Sequence, residues 1–431
     1  MRSCERSLFS VVTAGTLRRA LASVLAVNRP TLLAANLNPV SADSSYQPAR
    51  PAGPPAGYPL VAPRRRKLRS AVLWVTVVIV LIGTSLFTLL AITRETGALG
   101  LVTGAVLAAI PVFPVIATFL WLDRYEAEPT SLLAIAFAWG AGFATFGALV
   151  INTASMIAIK NAGGDVTSAA IFVAPFVEEA FKGGAIVLIL VLRRREFDGV
   201  IDGIVYAGMS GVGFAFVENV LYLGRTLHQS GTSGTAFVFV LRCVVSPFAH
   251  PLFTTATGIG IGLAVSSKKP LVKVGAPILG YCVAVLLHGA WNLSAASGLA
   301  GFASAYVALQ VPVFIGFAAL AIVARRREGL LVSRHLAVYG TTGWLTAAEV
   351  AMLGSLPARR DARNWALRIG GADARQAMHD FQELGSELAF LRERMARGSA
   401  SPDAPTQEYA MLATLSALRA RFLPNRPAPG V

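Results

Sequence analysis

The chain has 431 residues, of which 55% are hydrophobic and only 14% charged, with a mean hydropathy of +0.60. A water-soluble protein carries about 25% charged residues, so an ordinary soluble enzyme of several domains is excluded. The formal charge of +15 would suit a nucleic-acid binder. Yet the basic residues fall between and outside apolar stretches, where membrane topology puts them, and no nucleic-acid partner is expected.

Residues 1–70 form a disordered basic N-terminal tail. A broken apolar pattern from Cys4 to Val27 is interrupted by Arg18 and Arg19, too often for a signal peptide. Ser41 to Pro63 is rich in Pro, Ala, Gly and Ser and reads as linker. Arg64, Arg65, Arg66, Lys67 and Arg69 make a basic collar ahead of the first apolar stretch. Cys4, Cys243 and Cys282 do not make a disulfide framework.

Residues 71–324 hold eight stretches able to cross ~30 Å of hydrocarbon: 71–93, 98–122, 131–159, 168–192, 200–224, 235–265, 270–296 and 300–324. The expected fold is therefore all-α, a polytopic transmembrane helix bundle of about eight spans. Arg124, Arg193 to Arg195, Lys268, Lys269, Lys273 and Arg325 to Arg327 share one side with the collar, while the other side carries little more than Arg94, Lys160 and Arg225. That asymmetry puts both termini in the cytoplasm. Residues 325–431 regain surface charge, with apolar residues at helical spacing in Phe381, Leu384, Leu388, Leu391 and Met395. They read as a small helical cytoplasmic region, with a linker at Gly398 to Pro405.

An ionisable group at mid-bilayer costs about 2.5–3.5 kcal/mol on insertion scales, so its presence needs a reason. Spans one, two, three and eight have none. Span four holds Glu178, Glu179 and Lys182; span five holds Glu218 and Asn219; span six holds His250; span seven holds His288 and Asn292. At ~1.5 Å per residue, Glu178, Glu218 and His288 lie about 9–15 Å below the outer end, and His250 about 22 Å. Pro175 precedes the glutamates, while Pro247 and Pro251 bracket His250. Distorted backbone at such depth belongs beside protein or a water-filled cavity, which a hydrolase in a membrane needs. Plainer readings exist: Glu178 and Lys182 at i,i+4 suit an ion pair, lone histidines bond across helices, and Arg242 and Asp202 near span ends suit snorkelling or solvation.

Five motifs in order carry a resemblance: Asp-Arg-Tyr-Glu-Ala-Glu-Pro at 123–129, Phe-Val-Glu-Glu-Ala-Phe-Lys at 176–182, Phe-Ala-Phe-Val-Glu-Asn at 214–219, Ala-His-Pro at 249–251 and His-Gly-Ala-Trp-Asn at 288–292. With them the chain resembles the PrsW family of bacterial intramembrane proteases, relatives of the CAAX prenyl-protease superfamily. The resemblance implies a multi-pass protein of the bacterial plasma membrane that cleaves a membrane-anchored protein, such as an anti-sigma factor, in stress signalling. It makes Glu178, Glu179, His250 and His288 the catalytic candidates, with Lys182, Glu218, Asn219 and Asn292 in support. Either glutamate, helped by His250, could activate water while His288 and Asn292 face the oxyanion. Alternatively His250, His288 and Glu179 could hold zinc, although no HExxH pattern is present. A proton- or ion-coupled transporter and an inert membrane scaffold are the rival readings from other classes.

Overall fold

The computed structural model describes residues 66–194 and 197–423, and every element among them is a helix. The tail up to residue 65, with Cys4, Arg64 and Arg65, and Arg195 of the span-four cluster lie outside the described residues. Backbone from Arg66 onward is already helical, while the stretch apolar enough to cross a membrane begins at Val72.

Among the described residues, five helical stretches, one of them interrupted, are long and apolar enough to cross a membrane. Two of them cross twice. Helix α1, Arg66–Leu122, has 57 residues and as a straight rod would reach about 86 Å. Both its ends nevertheless border one apolar cluster, to which Leu122 belongs and against which Trp74 packs. The reversal falls at Gly97, whose φ of 68° suits only a residue without a Cβ.

After a short loop at 123–129 come α2, Thr130–Ala138, a π-helical turn at Trp139–Ala144, and α3, Thr145–Asn161. A second π turn, Ala169–Val173, leads into α4, Ala174–Leu192. Helix α5, Val200–Phe239, folds back at Gly231, where φ is 64°. Arg242, in the following π turn Val240–Val245, consequently returns beside Glu218. With α4, which carries three charged groups, the crossings come to the eight expected.

Span six is not the single rod expected over 235–265. It breaks at 246–248 and restarts as α6, Ala249–Ser266. Proline explains the break: Pro251 lacks an N–H and fits only a first turn, where no intrahelical acceptor is lost. His250 therefore starts a helix, and its straight-rod depth does not apply.

Glycines bring α5, α6 and α7 (Pro270–Ala296) into backbone contact. A Cβ on Gly258 would lie 2.0 Å from the Gly203 carbonyl oxygen, and one on Gly280 would lie 2.4 Å from that of Ala256. Lipid supplies no hydrophobic drive between helices, so such close van der Waals approach holds the trio together.

Helix α8, Gly298–Ala305, and a π turn, Tyr306–Gln310, lead into α9, Val311–Thr341. The boundary expected at 324/325 falls inside α9, which leaves the apolar zone without interruption. Helices α10, Ala347–Leu353, α11, Leu356–Arg397, and α12, Ala404–Phe422, form a layer with its own core. Phe381 and Leu388 of the expected stripe are fully buried there, against Leu336, Leu353 and Leu415. Gly398, at φ 72°, ends α11 where the linker was expected. Ties that join this layer to the bundle include the Tyr125 hydroxyl, which donates to the Gly354 carbonyl at 3.0 Å, and Arg394, which reaches Asp198 at 2.7 Å.

Candidate active site

Helix α4 begins at a proline and presents Glu178, Glu179 and Lys182 within one turn. Glu179 and Lys182 are completely buried, and Glu178 nearly so. The Lys182 Nζ donates to Glu179 Oε1 at 2.8 Å and lies 3.5 Å from Glu178 Oε2. It also sits 3.2 Å from His250 Nδ1 and over the Phe214 ring at 3.9 Å. A buried ammonium needs this many partners to offset its lost hydration.

The two histidines complete the cluster. His288 Nδ1 is 2.9 Å from Glu179 Oε1, and its Nε2 is 3.7 Å from Glu178 Oε2. His250 Nε2 is 2.7 Å from Glu218 Oε2, and the two imidazole rings are 5.0 Å apart. Each histidine thus has one ring nitrogen engaged by a carboxylate, which fixes the ring and leaves the other nitrogen facing inward.

The glutamates differ in their surroundings. Glu179 is saturated, because Oε1 takes Lys182 and His288 while Oε2 accepts from the Thr254 hydroxyl at 2.9 Å. Glu178 is held more loosely, with Asn152 donating to Oε1 at 3.2 Å. Their different environments follow from adjacent helix positions, which point about 100° apart.

Two expected members stand elsewhere. Asn292 donates to the Ala170 carbonyl at 2.8 Å and ties α7 to the turn before α4, rather than facing the carboxylates. Asn219 accepts from Arg242 Nε at 2.7 Å, and so buttresses the Glu218 arm. Sequence reasoning set Arg242 aside as a snorkelling residue, yet its Nη2 lies 2.6 Å from Glu218 Oε2. Asn152 and Thr254 were missed because span three carries no ionisable group beside Asn152 and a threonine is ordinary in a span. Thr254 carried a signal, standing one turn after His250 on the same face.

A divalent cation fits the donor chemistry. One ligand atom from each of Glu178, His250 and His288 lies within 4.8 Å of the others, a two-histidine, one-carboxylate set. The carboxylates behind both imidazoles are the outer partners that metal-binding histidines ordinarily have. The carboxylate in this group is Glu178, not the Glu179 expected from the sequence, whose oxygens are already taken. Glu178, Glu179 and Glu218 outnumber the facing Lys182 and Arg242 by one negative charge.

The chain is also similar to known proteins. The model of the PrsW family intramembrane metalloproteases matches residues 128–317. Protease PrsW of Bacillus subtilis (strain 168) is 30% identical over 184 residues, covering 42% of this chain and 78% of that protein. Protease PrsW of Geobacillus kaustophilus is 29% identical over 186 residues, 42% of this chain and 75% of the relative. That of Oceanobacillus iheyensis is 34% identical over 139 residues, 31% of this chain, so the chain spans little more than half, 56%, of that relative. No solved structure gives a significant match.

Proposed function

The chain belongs to the PrsW family of intramembrane proteases, and we propose that it hydrolyses a peptide bond of a membrane-anchored protein inside the bilayer. The observation that carries this is the meeting of Glu178, Glu179, His250 and His288, from three helices, around one buried ammonium.

In the proposed reaction Glu178, the less saturated carboxylate, takes a proton from water as the water oxygen adds to the scissile carbonyl carbon. The same proton then passes to the leaving amine as the carbon–nitrogen bond breaks. Glu179 positions His288 through Nδ1, and Glu218 positions His250 through Nε2. With Asn292 turned away, the Lys182 ammonium, oriented by its contact with His250 Nδ1, stabilises the oxyanion. A zinc-type cation, when bound by Glu178, His250 and His288, lowers the pKa of water and polarises a carbonyl. Lys182 already touches two of those three residues, so chelation and zinc rescue of the purified chain separate the two readings. Full activity in metal-free protein leaves Glu178 as the sole activator.

The substrate proposed is a single-pass protein of the anti-sigma-factor kind. Both termini are proposed to be cytoplasmic, which the gathering of Arg124, Arg325 and the C-terminal helices at one end supports. The test compares membrane proteomes of wild type and a Glu178→Gln, Glu179→Gln strain under envelope stress. A full-length single-pass protein should accumulate in the variant; unchanged proteomes would speak for a scaffold or transporter.

A further inference from the structure

Several arginines of the C-terminal layer have a carboxylate partner: Arg392 with Glu408, Arg394 with Asp198, Arg397 with Glu393 and Arg419 with Glu349. Others gather where the layer meets the bundle around an open cavity of about 1210 Å³. From the bundle come Arg124, Arg325 and Arg326; from α11 come Arg359, Arg360, Arg363 and Arg375. Among the described residues none of these seven has a carboxylate partner within ion-pair distance.

The side chains nearest the membrane boundary carry a further sign. Arg325 stacks on the Trp121 ring at 3.7 Å, and its Nε is buried without a hydrogen-bond partner among the described residues. Arg363 gives its hydrogen bond to the neutral Gln382, and Arg359 to the Leu353 carbonyl and the Ser386 hydroxyl. Burial, and then the guanidiniums of Arg124 and Arg375, draw the Arg363 pKa down, which places these like charges close together. Three carboxylates also line the cavity, Asp123, Asp361 and Glu383, and they leave the positive charge in clear excess. Glu383 is engaged by His379, and burial pushes Asp123 up to about 8, so it is mostly uncharged at neutral pH.

Topology alone accounts for the basic residues flanking a span, and so for Arg124, Arg325 and Arg326. It does not account for Arg359, Arg360, Arg363 and Arg375, which lie at least 34 residues beyond Arg325 in the chain and are folded back onto the same cavity. Repulsion among them is tolerable if an anion sits between. Planar guanidiniums are the groups best matched to phosphate oxygens. Trp121 and Ile322, both exposed at the ends of spans two and eight, form the apolar edge, so an acyl chain could reach the same place.

We propose that this cavity binds a phosphate-bearing anion at the basic end of the bundle, clamped between the arginines of the transmembrane helices and those of α11. Basic pockets at this level characteristically take anionic lipid headgroups, and a free phosphate offers the same chemistry.

The test uses the full chain in detergent and native mass spectrometry. Phosphatidylglycerol should be retained and phosphatidylcholine should not. The exposed triple variant Arg124→Gln, Arg360→Gln, Arg375→Gln should lose about tenfold or more in affinity. Arg368→Gln with Arg421→Gln, which removes charge away from the cavity, should bind as wild type does. Millimolar inorganic phosphate separates the sources. Binding unaffected by it assigns a lipid headgroup; displacement by it, or its own retention by wild type only, assigns free phosphate. If the triple variant does not fold, single Arg360→Gln and Arg375→Gln variants should each cost about threefold. Equal binding by wild type and these variants, equal retention of phosphatidylcholine, or an equal loss in the control pair would overturn the proposal.

Discussion

Carboxylates are buried at two levels of this molecule, and they are treated oppositely. Inside the membrane, Glu178, Glu179 and Glu218 are each met by an ammonium, a guanidinium or an imidazole. At the junction with the C-terminal layer, Asp123, Glu126, Glu128, Asp198 and Asp202 crowd against one another, with Arg394 and Arg397 reaching in at Asp198. Burial, and then the neighbouring Asp202, pushes Glu128 up to about 11, and the Tyr206 hydroxyl donates to it. Burial also pushes Asp123 up to about 8, while its Oδ2 accepts from the Glu128 backbone N–H at 2.8 Å. A paired carboxylate can stay charged and serve chemistry; a crowded one such as Glu128 keeps its proton and serves as a seam. The loop at 123–129, which by composition alone would be a solvated connection, is that seam.

The contrast can be broken most severely within the membrane. Glu178→Gln should lower cleavage by about 10²–10⁴-fold while protein abundance holds, as removal of a general base does. Glu179→Ala should instead cost about 3–5 kcal/mol of stability, because it strips Lys182 of its closest partner in a dry site. Abundance on immunoblots and thermal unfolding of the two purified variants would distinguish them. The Glu218 arm offers the next effect. Arg242→Gln alone should destabilise by about 3 kcal/mol, and adding Glu218→Gln should recover part of that loss, since an uncompensated charge costs more than an absent pair.

At the junction the effect is one of pH. A carboxyl whose folded-state pKa is raised binds a proton that the unfolded chain has already lost, so its contribution to stability falls as pH rises. For Asp123 that window runs from its ordinary 3.8 up to about 8. Unfolding followed across this range should show declining stability in wild type and a shallower decline in Asp123→Asn. The smallest change is expected at the bridge to the outer layer. Arg394 is partly exposed, so Arg394→Ala should shift stability by no more than about 1 kcal/mol.

Much of this was legible in the sequence, for reasons that differ by region. Apolar runs of membrane-spanning length fix the crossings, and Gly97 and Gly231 fall where the reversals were expected between spans. The carboxylates and imidazoles betrayed the site because lipid makes them costly anywhere else. What escaped was whatever depends on direction rather than depth. The i,i+4 spacing of His288 and Asn292 put them on one face, but Asn292 found a free carbonyl at the π turn instead. Adjacent glutamates could not be told apart until Thr254 and Lys182 saturated one of them. Prolines marked the break before His250, yet a straight-helix count could not say where the restarted helix would carry it. Arg242 stood close enough to a span end for solvation to seem sufficient, and only the fold-back at Gly231 turns it inward.

The most direct measurement follows cleavage of a tethered single-pass substrate by the purified chain in lipid, comparing wild type with Glu178→Gln at matched folding. Proteolysis by wild type and its near-abolition in the glutamine variant would uphold a polar site working on water in the bilayer. Cleavage at a comparable rate in both proteins would contradict it.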